Sequence, residues 1–312
     1  MRYFASVRSP YRLTSKPSSE KKTATGRDNK QSSTSQSTKD DDDDEDKSSA
    51  ATPKDTINIF SGANTFYSDS AVKLNVTGGT NTLNLGGNDQ VTLSGGSSAL
   101  NLHGKHMTIA NVGGNNSFSI SGSSHDTFTG GGANVTQTDS GKYHLHMSGN
   151  DTITLGSGND TIVEAGKATV YAGSGNLNYQ GDGASYVVAG SGMSTLRGGG
   201  GNDTFVGGSG KGLMSGGGGA NLFVAGHGDQ TMNGEGATSN IFSFDKTKAS
   251  GSSDHIKNFT SGRDHIKLVG YDTAAALAGA KVVGGNTILS LNGGATKIEL
   301  VGFKHLTAAD FG

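Results

Sequence analysis

The sequence predicts an all-β protein: a parallel β-roll or β-helix solenoid of half-coils of about nine residues, closed by a C-terminal β-rich cap. Three observations predict it. Glycine supplies 52 of the 312 residues, hydrophobic types make up only 31%, and tryptophan is absent. An apolar residue returns at steps of mostly nine positions along most of the chain. Between these apolar residues lie Gly, Asn, Ser and Thr, the types that close turns.

Such a composition cannot fill a thick core. A solenoid does not need one, because each repeat buries only one or two apolar side chains against its neighbours. The period cannot be helical. Nine residues on a helix of about 3.6 per turn place successive apolar side chains on opposite faces. A chain that makes a short strand, turns and makes another short strand can use the period. Thr152-Ile153-Thr154 is one such strand, with one side chain inward and two outward. Two half-coils of this kind complete a coil of about 18 residues, and stacked coils form two parallel sheets with a thin apolar seam. The predicted seam runs Ile57, Phe66, Leu74, Leu83, Val91, Leu100, Ile109, Phe118 and Phe128. It blurs around Val135 and Leu145 and resumes at Ile153, Ile162, Tyr171, Tyr179, Val188, Leu196, Phe205, Met214, Phe223, Met232 and Phe242.

Three regions follow. Residues 1–52 read as a disordered low-complexity tail that ends in the acidic run Asp40–Lys47, a self-repelling spacer. Residues 53–243 carry the period, and residues 244–312 form the cap. The formal net charge of -2 gives no reason to expect nucleic acid. The absence of cysteine removes disulfides, zinc-thiolate sites and cysteine nucleophiles together. No apolar stretch approaches the roughly 20 residues of a membrane span. The N-terminus MRYFASVRSPYRLTSK lacks the apolar core of a cleaved secretory signal.

The densest copies are Leu155-Gly-Ser-Gly-Asn-Asp-Thr-Ile-Val163 and Gly198-Gly-Gly-Gly-Asn-Asp-Thr-Phe-Val206. They resemble the repeats-in-toxin (RTX, hemolysin-type) nonapeptide G-G-x-G-x-D-x-U-x. The resemblance implies a calcium-binding β-roll, secreted through a type I system, with each ion between turns one coil apart. The chemistry suits the pattern: glycines permit tight turns and expose carbonyl oxygens, aspartate adds charge, and calcium takes about six to eight oxygens. The metal candidates are Asp151, Asp160, Asp203 and Asp89, with the turn glycines Gly156, Gly158, Gly199 and Gly201. No two of the turn aspartates are separated by two whole nonapeptides. The best full-coil pairs are Asp160 with Asn178 and Asp203 with Asn221, while Asp151 meets Thr169. Of Asp151 and Asp160, this spacing favours Asp160. Asp55 and Asp126 read as structural.

Downstream, Ser253-Asp-His-Ile-Lys-Asn-Phe259 and Gly262-Arg-Asp-His-Ile-Lys-Leu268 resemble the cap that follows the last repeats in secreted RTX proteins. By the same analogy, residues 303–312 are the place for a type I secretion signal. His144 and His146 flank Leu145 on one strand face and read as surface residues. No G-x-S-x-G elbow or H-E-x-x-H helix occurs, no catalytic residue is assigned, and no regular threonine ladder of the ice-binding kind recurs. The expected function is a secreted, non-enzymatic protein of matrix, adhesion or surface interaction, with extracellular polysaccharide or a cell surface as partner. The alternative is a polysaccharide-acting β-helix enzyme or an epimerase or lyase accessory module.

Overall fold

The computed structural model describes residues 12–15, 55–122 and 125–312. The expected disordered tail lies outside the described residues, apart from Arg12–Ser15, which pairs antiparallel with Asn64 to Tyr67. The rest is a parallel β-solenoid of about 11 turns with almost no helix. Strands alternate between two sheets of 13 and 15 strands, so each strand pairs with the strand two places on. Parallel pairing needs no helical crossover here, because the return path of every coil is a strand of the other sheet.

The seam lies where the period places it. Phe66, Leu83, Leu100, Ile153, Ile162 and Leu196 are each at most 1% exposed. In the C-terminal half an aromatic file runs down the seam: Phe205, Phe223, Phe242, Phe259 and Phe303 have successive ring centroids 6.1, 5.1, 6.1 and 5.0 Å apart. It ties the coils to one another and to the cap by ring contacts.

Two seam positions differ from expectation. Val170 and Val187 are buried, whereas Tyr171 is 44% exposed and Val188 is only half-buried. The physical reason is coil length. Ile153 pairs with Val170, and Val170 with Val187, so each of these coils is one residue short of two nonapeptides. Counting nine from Ile162 overshoots by one, and one residue flips a side chain to the other face. The region that looked blurred is regular by the same measure. Val135 pairs with Phe118 and Ile153, and Leu145 with Phe128 and Ile162. Longer coils, of two whole nonapeptides, occur at Val91↔Ile109, Leu100↔Phe118 and Val135↔Ile153 and again at Tyr186↔Thr204 and Ser194↔Gly212.

The strand ladder continues beyond residue 243. Thr231 to Asn233 pairs with His255 to Lys257, and Ile241 to Asp245 with His265 to Val269, after insertions that lengthen the step between rungs. The D-x-I motifs thus form the last two rungs. Beyond them lie the helix Thr273–Ala278 and the strands Lys281–Val283, Asn286–Leu291 and Thr296–Val301, antiparallel to one another, the last also pairing parallel with Ser253–Lys257. Leu289, Leu291, Ile298 and Leu300 are buried there, and Phe311 bridges to Ile266, so the open end of the seam is covered.

The register is directly testable. Val170→Asp buries an unpaired carboxylate in the seam and is expected to abolish cooperative unfolding at neutral pH. Tyr171→Asp, on the outer face, is expected to shift stability by less than about 0.5 kcal/mol in urea titrations. Equal effects of the two would contradict the shorter coil.

Candidate functional site

Turns run along two edges of the roll. At the first edge the chain enters strands of the 13-stranded sheet; at the second it enters strands of the 15-stranded sheet. Asp151 and Asp160 lie on opposite edges: Asp151 lies in Asn150–Thr154 of the former sheet and Asp160 starts Asp160–Glu164 of the latter. Ile153 and Ile162 enter the seam from opposite sheets and are fully buried.

The aspartates do not point out into the turns. Asp89, Asp151, Asp160 and Asp203 are 0, 3, 3 and 1% exposed. Each is the inward residue two before a seam residue, so strand alternation turns it toward the interior. Each carboxylate oxygen Oδ1 accepts the backbone N–H of the matching residue one coil earlier. The donors are Val72 to Asp89 at 2.8 Å, Ala133 to Asp151 at 2.7 Å, Tyr143 to Asp160 at 3.0 Å and Ser185 to Asp203 at 2.8 Å. Asp126, Asp254 and Asp264 take the same bond from Met107, Gln230 and Asn240. So do Asn116 and Asn221, from Ser98 and Asp203. The first job of this column is to bond coil to coil.

What differs is the second oxygen. In Asp89 it accepts from Gly87 N–H, in Asp254 from the Ser252 hydroxyl, and in Asp264 from Thr260 N–H. These are closed turns. In Asp203 and Asp151, Oδ2 is buried with no hydrogen-bond partner. The Asp203 case is clearest by comparison with its neighbours in the column. The Asn221 amide Nδ2 lies 2.2 Å from where a Cβ would stand on Gly216, and it donates to Gly218 O and Asn240 Oδ1. Asp203 Oδ2 occupies the same niche one coil earlier, 2.1 Å from the Cβ point of Gly198, with the Gly216 carbonyl 2.6 Å from that point. An amide fills the niche with a donor. A carboxylate puts an acceptor there, beside the Gly216 carbonyl and with the Ser185 side chain bonded to the same carboxylate, a place suited to a proton or a cation.

The expected pairs fare differently. Asp203 and Asn221 are one coil apart as expected, but Asn221 Oδ1 is already engaged by Asp203 N–H. Asp160 pairs with Leu177, not Asn178; Asn178 stands opposite Thr161 and is exposed on the sheet face. The reason is again the shorter coil, which also places Ala168 rather than Thr169 beside Asp151. Around Asp160 the structure brings in Asp139 instead, whose negative charge acts on it. Asp139 accepts from the Tyr143 hydroxyl and from the N–H groups of Gly122 and Gly141. Its signal in the sequence was a bare Asp-Ser-Gly turn.

The glycines stack. A Cβ on Gly156 would meet Asp139 O at 2.3 Å, one on Gly173 Gly156 O at 1.8 Å, and one on Gly190 Gly173 O at 1.6 Å. Gly158, Gly175 and Gly192 form a second file with clashes of 1.6 to 2.0 Å. On the first edge Gly199 adopts φ +91°, and a Cβ on Gly201 would meet Ala184 N at 2.3 Å. The turns are therefore lined by backbone carbonyls. Among the described residues no three Asp, Glu or His side chains form a metal-holding group, so a cation here depends on one or two carboxylates with backbone oxygens. His144 and His146 are exposed on the outer face.

Burial raises these carboxyls. It pushes Asp160 from its usual 3.8 up to about 7, against the bond from Tyr143 N–H that lowers it. Asp89, Asp203 and Asp254 rise to about 6 for the same cause. A carboxyl raised in the folded state binds protons that the unfolded chain has released. Its contribution is full below the unfolded value and is lost as pH rises through the folded one. In chelator, the melting temperature is expected to fall as pH rises from about 4 to about 7.5, and calcium is expected to flatten that fall by stabilising the carboxylates. A melting temperature that stays level in chelator across this range would contradict the account.

The RTX calcium-binding nonapeptide repeat family matches the chain in four copies, at residues 147–163 and 179–214. These segments include Asp151, Asp160 and Asp203 together with Gly156, Gly158, Gly199 and Gly201. No curated protein matches the chain.

Proposed function

From a chain that carries RTX calcium-binding nonapeptide repeats, we propose a secreted, non-enzymatic β-roll whose central coils are completed by calcium and whose outer faces engage an extracellular partner. The observation that carries the calcium part is the unpartnered, buried Asp203 Oδ2 beside the glycine turn. Asp203 would hold the ion with carbonyls of the Gly198 to Gly201 turn and of Gly216. Bound calcium supplies the positive charge that buried acceptors otherwise lack. Asp160, with the stacked carbonyls of the Gly156 to Gly158 turn, is the matching candidate on the second edge. Asp89 has both oxygens satisfied by N–H groups, which favours a closed turn there.

Secretion is supported by the general export of proteins with these repeats. An interaction role is supported by the outer face of the 13-stranded sheet. There Tyr171 and Tyr186 are 44 and 41% exposed and meet edge-on at 6.2 Å, offering aromatic surface for a sugar ring. Incubation with alginate or pectate is expected to give retention on the polysaccharide without new unsaturated ends. Appearance of such ends would favour the enzymatic alternative.

Calcium at millimolar levels is expected to raise the melting temperature and the β-sheet circular dichroism of the full chain, reversibly with chelator. Asp203→Asn converts the niche to that of Asn221. It is expected to stabilise the metal-free chain by about 1–3 kcal/mol through loss of an unsatisfied buried group. It is also expected to weaken the calcium response. A variant with an unchanged calcium response would remove Asp203 from the site.

A further inference from the structure

One side chain at the first edge is not supplied by the nonapeptide pattern. Glu164 pairs in register with Gly181, and the next coils carry Gly198 and Gly216 at this place, one beyond the pair Arg197↔Ser215. Glu164 stands where the later coils have glycine. It is 1% exposed and points inward, beside Asp151 of the preceding half-coil.

Each of these two carboxylates has one oxygen fixed by a backbone N–H. Ala133 N–H donates to Asp151 Oδ1 at 2.7 Å, and Gly166 N–H donates to Glu164 Oε1 at 2.7 Å. Asp151 Oδ2 and Glu164 Oε2 are buried, and besides Gly132 N–H near Asp151 they have only each other. The two side chains are in hydrogen-bonding contact, which without a metal needs a proton between them. Among the described residues no Lys, Arg or His forms an ion pair with either. Two buried carboxylates without a counter-charge are unstable as a pair of anions. A single proton leaves one negative charge in the interior, whereas a divalent cation neutralises both.

We propose that Asp151 and Glu164 together hold a calcium ion inside the first edge, at a two-carboxylate site that adds Glu164, from outside the nonapeptide pattern, to a repeat aspartate. The fixed oxygens orient both groups before the ion arrives, and turn carbonyls complete its oxygen shell. The inference rests on the calcium reading of the repeats only for the choice of ion; its residues are separate from the Gly198 to Asp203 turn.

The test counts calcium bound per full-length chain at saturation, by equilibrium dialysis, for wild type, Glu164→Gly, Glu164→Gln and Asp203→Asn. Glu164→Gly installs the glycine of the later coils and is expected to fold; Glu164→Gln keeps the shape of the side chain. Both are expected to bind one ion fewer than wild type, while Asp203→Asn keeps the ion at Asp151 and Glu164. Unchanged stoichiometry in both Glu164 variants, with one ion lost from Asp203→Asn, would overturn the proposal and leave the repeat reading standing. No calcium bound to any of the four would overturn both. If stoichiometry is unchanged and Glu164→Gln instead removes a pH dependence of wild-type stability, the pair holds a proton, and the cation site is equally refuted.

Discussion

Coils stack turn on turn, and at the turns the backbone of one coil rests almost directly on the next. A single added methyl at Gly173 or Gly190 would lie 1.8 or 1.6 Å from a carbonyl of the coil before. That closeness excludes side chains from much of the turn, leaves carbonyl oxygens lining it, and leaves backbone N–H groups at strand starts in need of acceptors. The inward Asp and Asn residues answer the last need. Most reach back one coil and accept one N–H, so the same bond recurs from Asp89 to Asp264. The column is structural first, and metal chemistry is built on top of it.

This explains how one column can hold residues of different charge. Asn closes its turn unaided, because one end accepts the N–H and the other donates to a carbonyl. The N-terminal coils use a variant of this: Asn64 and Asn81 each donate to a turn carbonyl, of Ser61 and Gly78, and link coil to coil through side chains, Asn64 to Asn81 Oδ1 and Asn81 to the Ser98 hydroxyl. Asp closes its turn only when a further donor is at hand, as Ser252 is for Asp254. Where none is at hand, at Asp151 and Asp203, the carboxylate is left short of positive charge. Departures from the nonapeptide pattern are therefore substitutions that let most coils close on their own.

The fold was legible because seam residues and turn residues differ in kind, and a period survives local slips. Phe128, Val135, Leu145 and Ile153 are unevenly spaced, yet their pairs Leu145↔Phe128 and Val135↔Ile153 keep the ladder in step. The exact coil length was not legible. At Val170-Tyr171 and Val187-Val188 two adjacent residues can each fill a seam, and only stacking decides between them. The same residue of difference moved Asp160 away from Asn178. Glu164 was hidden for another reason. A glutamate at a strand end normally faces water, and nothing local shows that its partner, Asp151, comes from the other sheet.

The carboxylates that lack a partner lie in the middle of the roll. The N-terminal coils close through amides, and the last rungs close through Ser252, Thr260 and the cap. In a solenoid each coil touches only its neighbours, so stability is close to a sum of local terms, and the weakest coils decide whether the two ends unfold together. Ions bound between residues 147 and 214 would strengthen those coils, where the RTX repeats also match. A few ions would then have an effect out of proportion to their number. They would couple an N-terminal segment that closes without metal to a capped C-terminal segment, and make one cooperative unit of the roll.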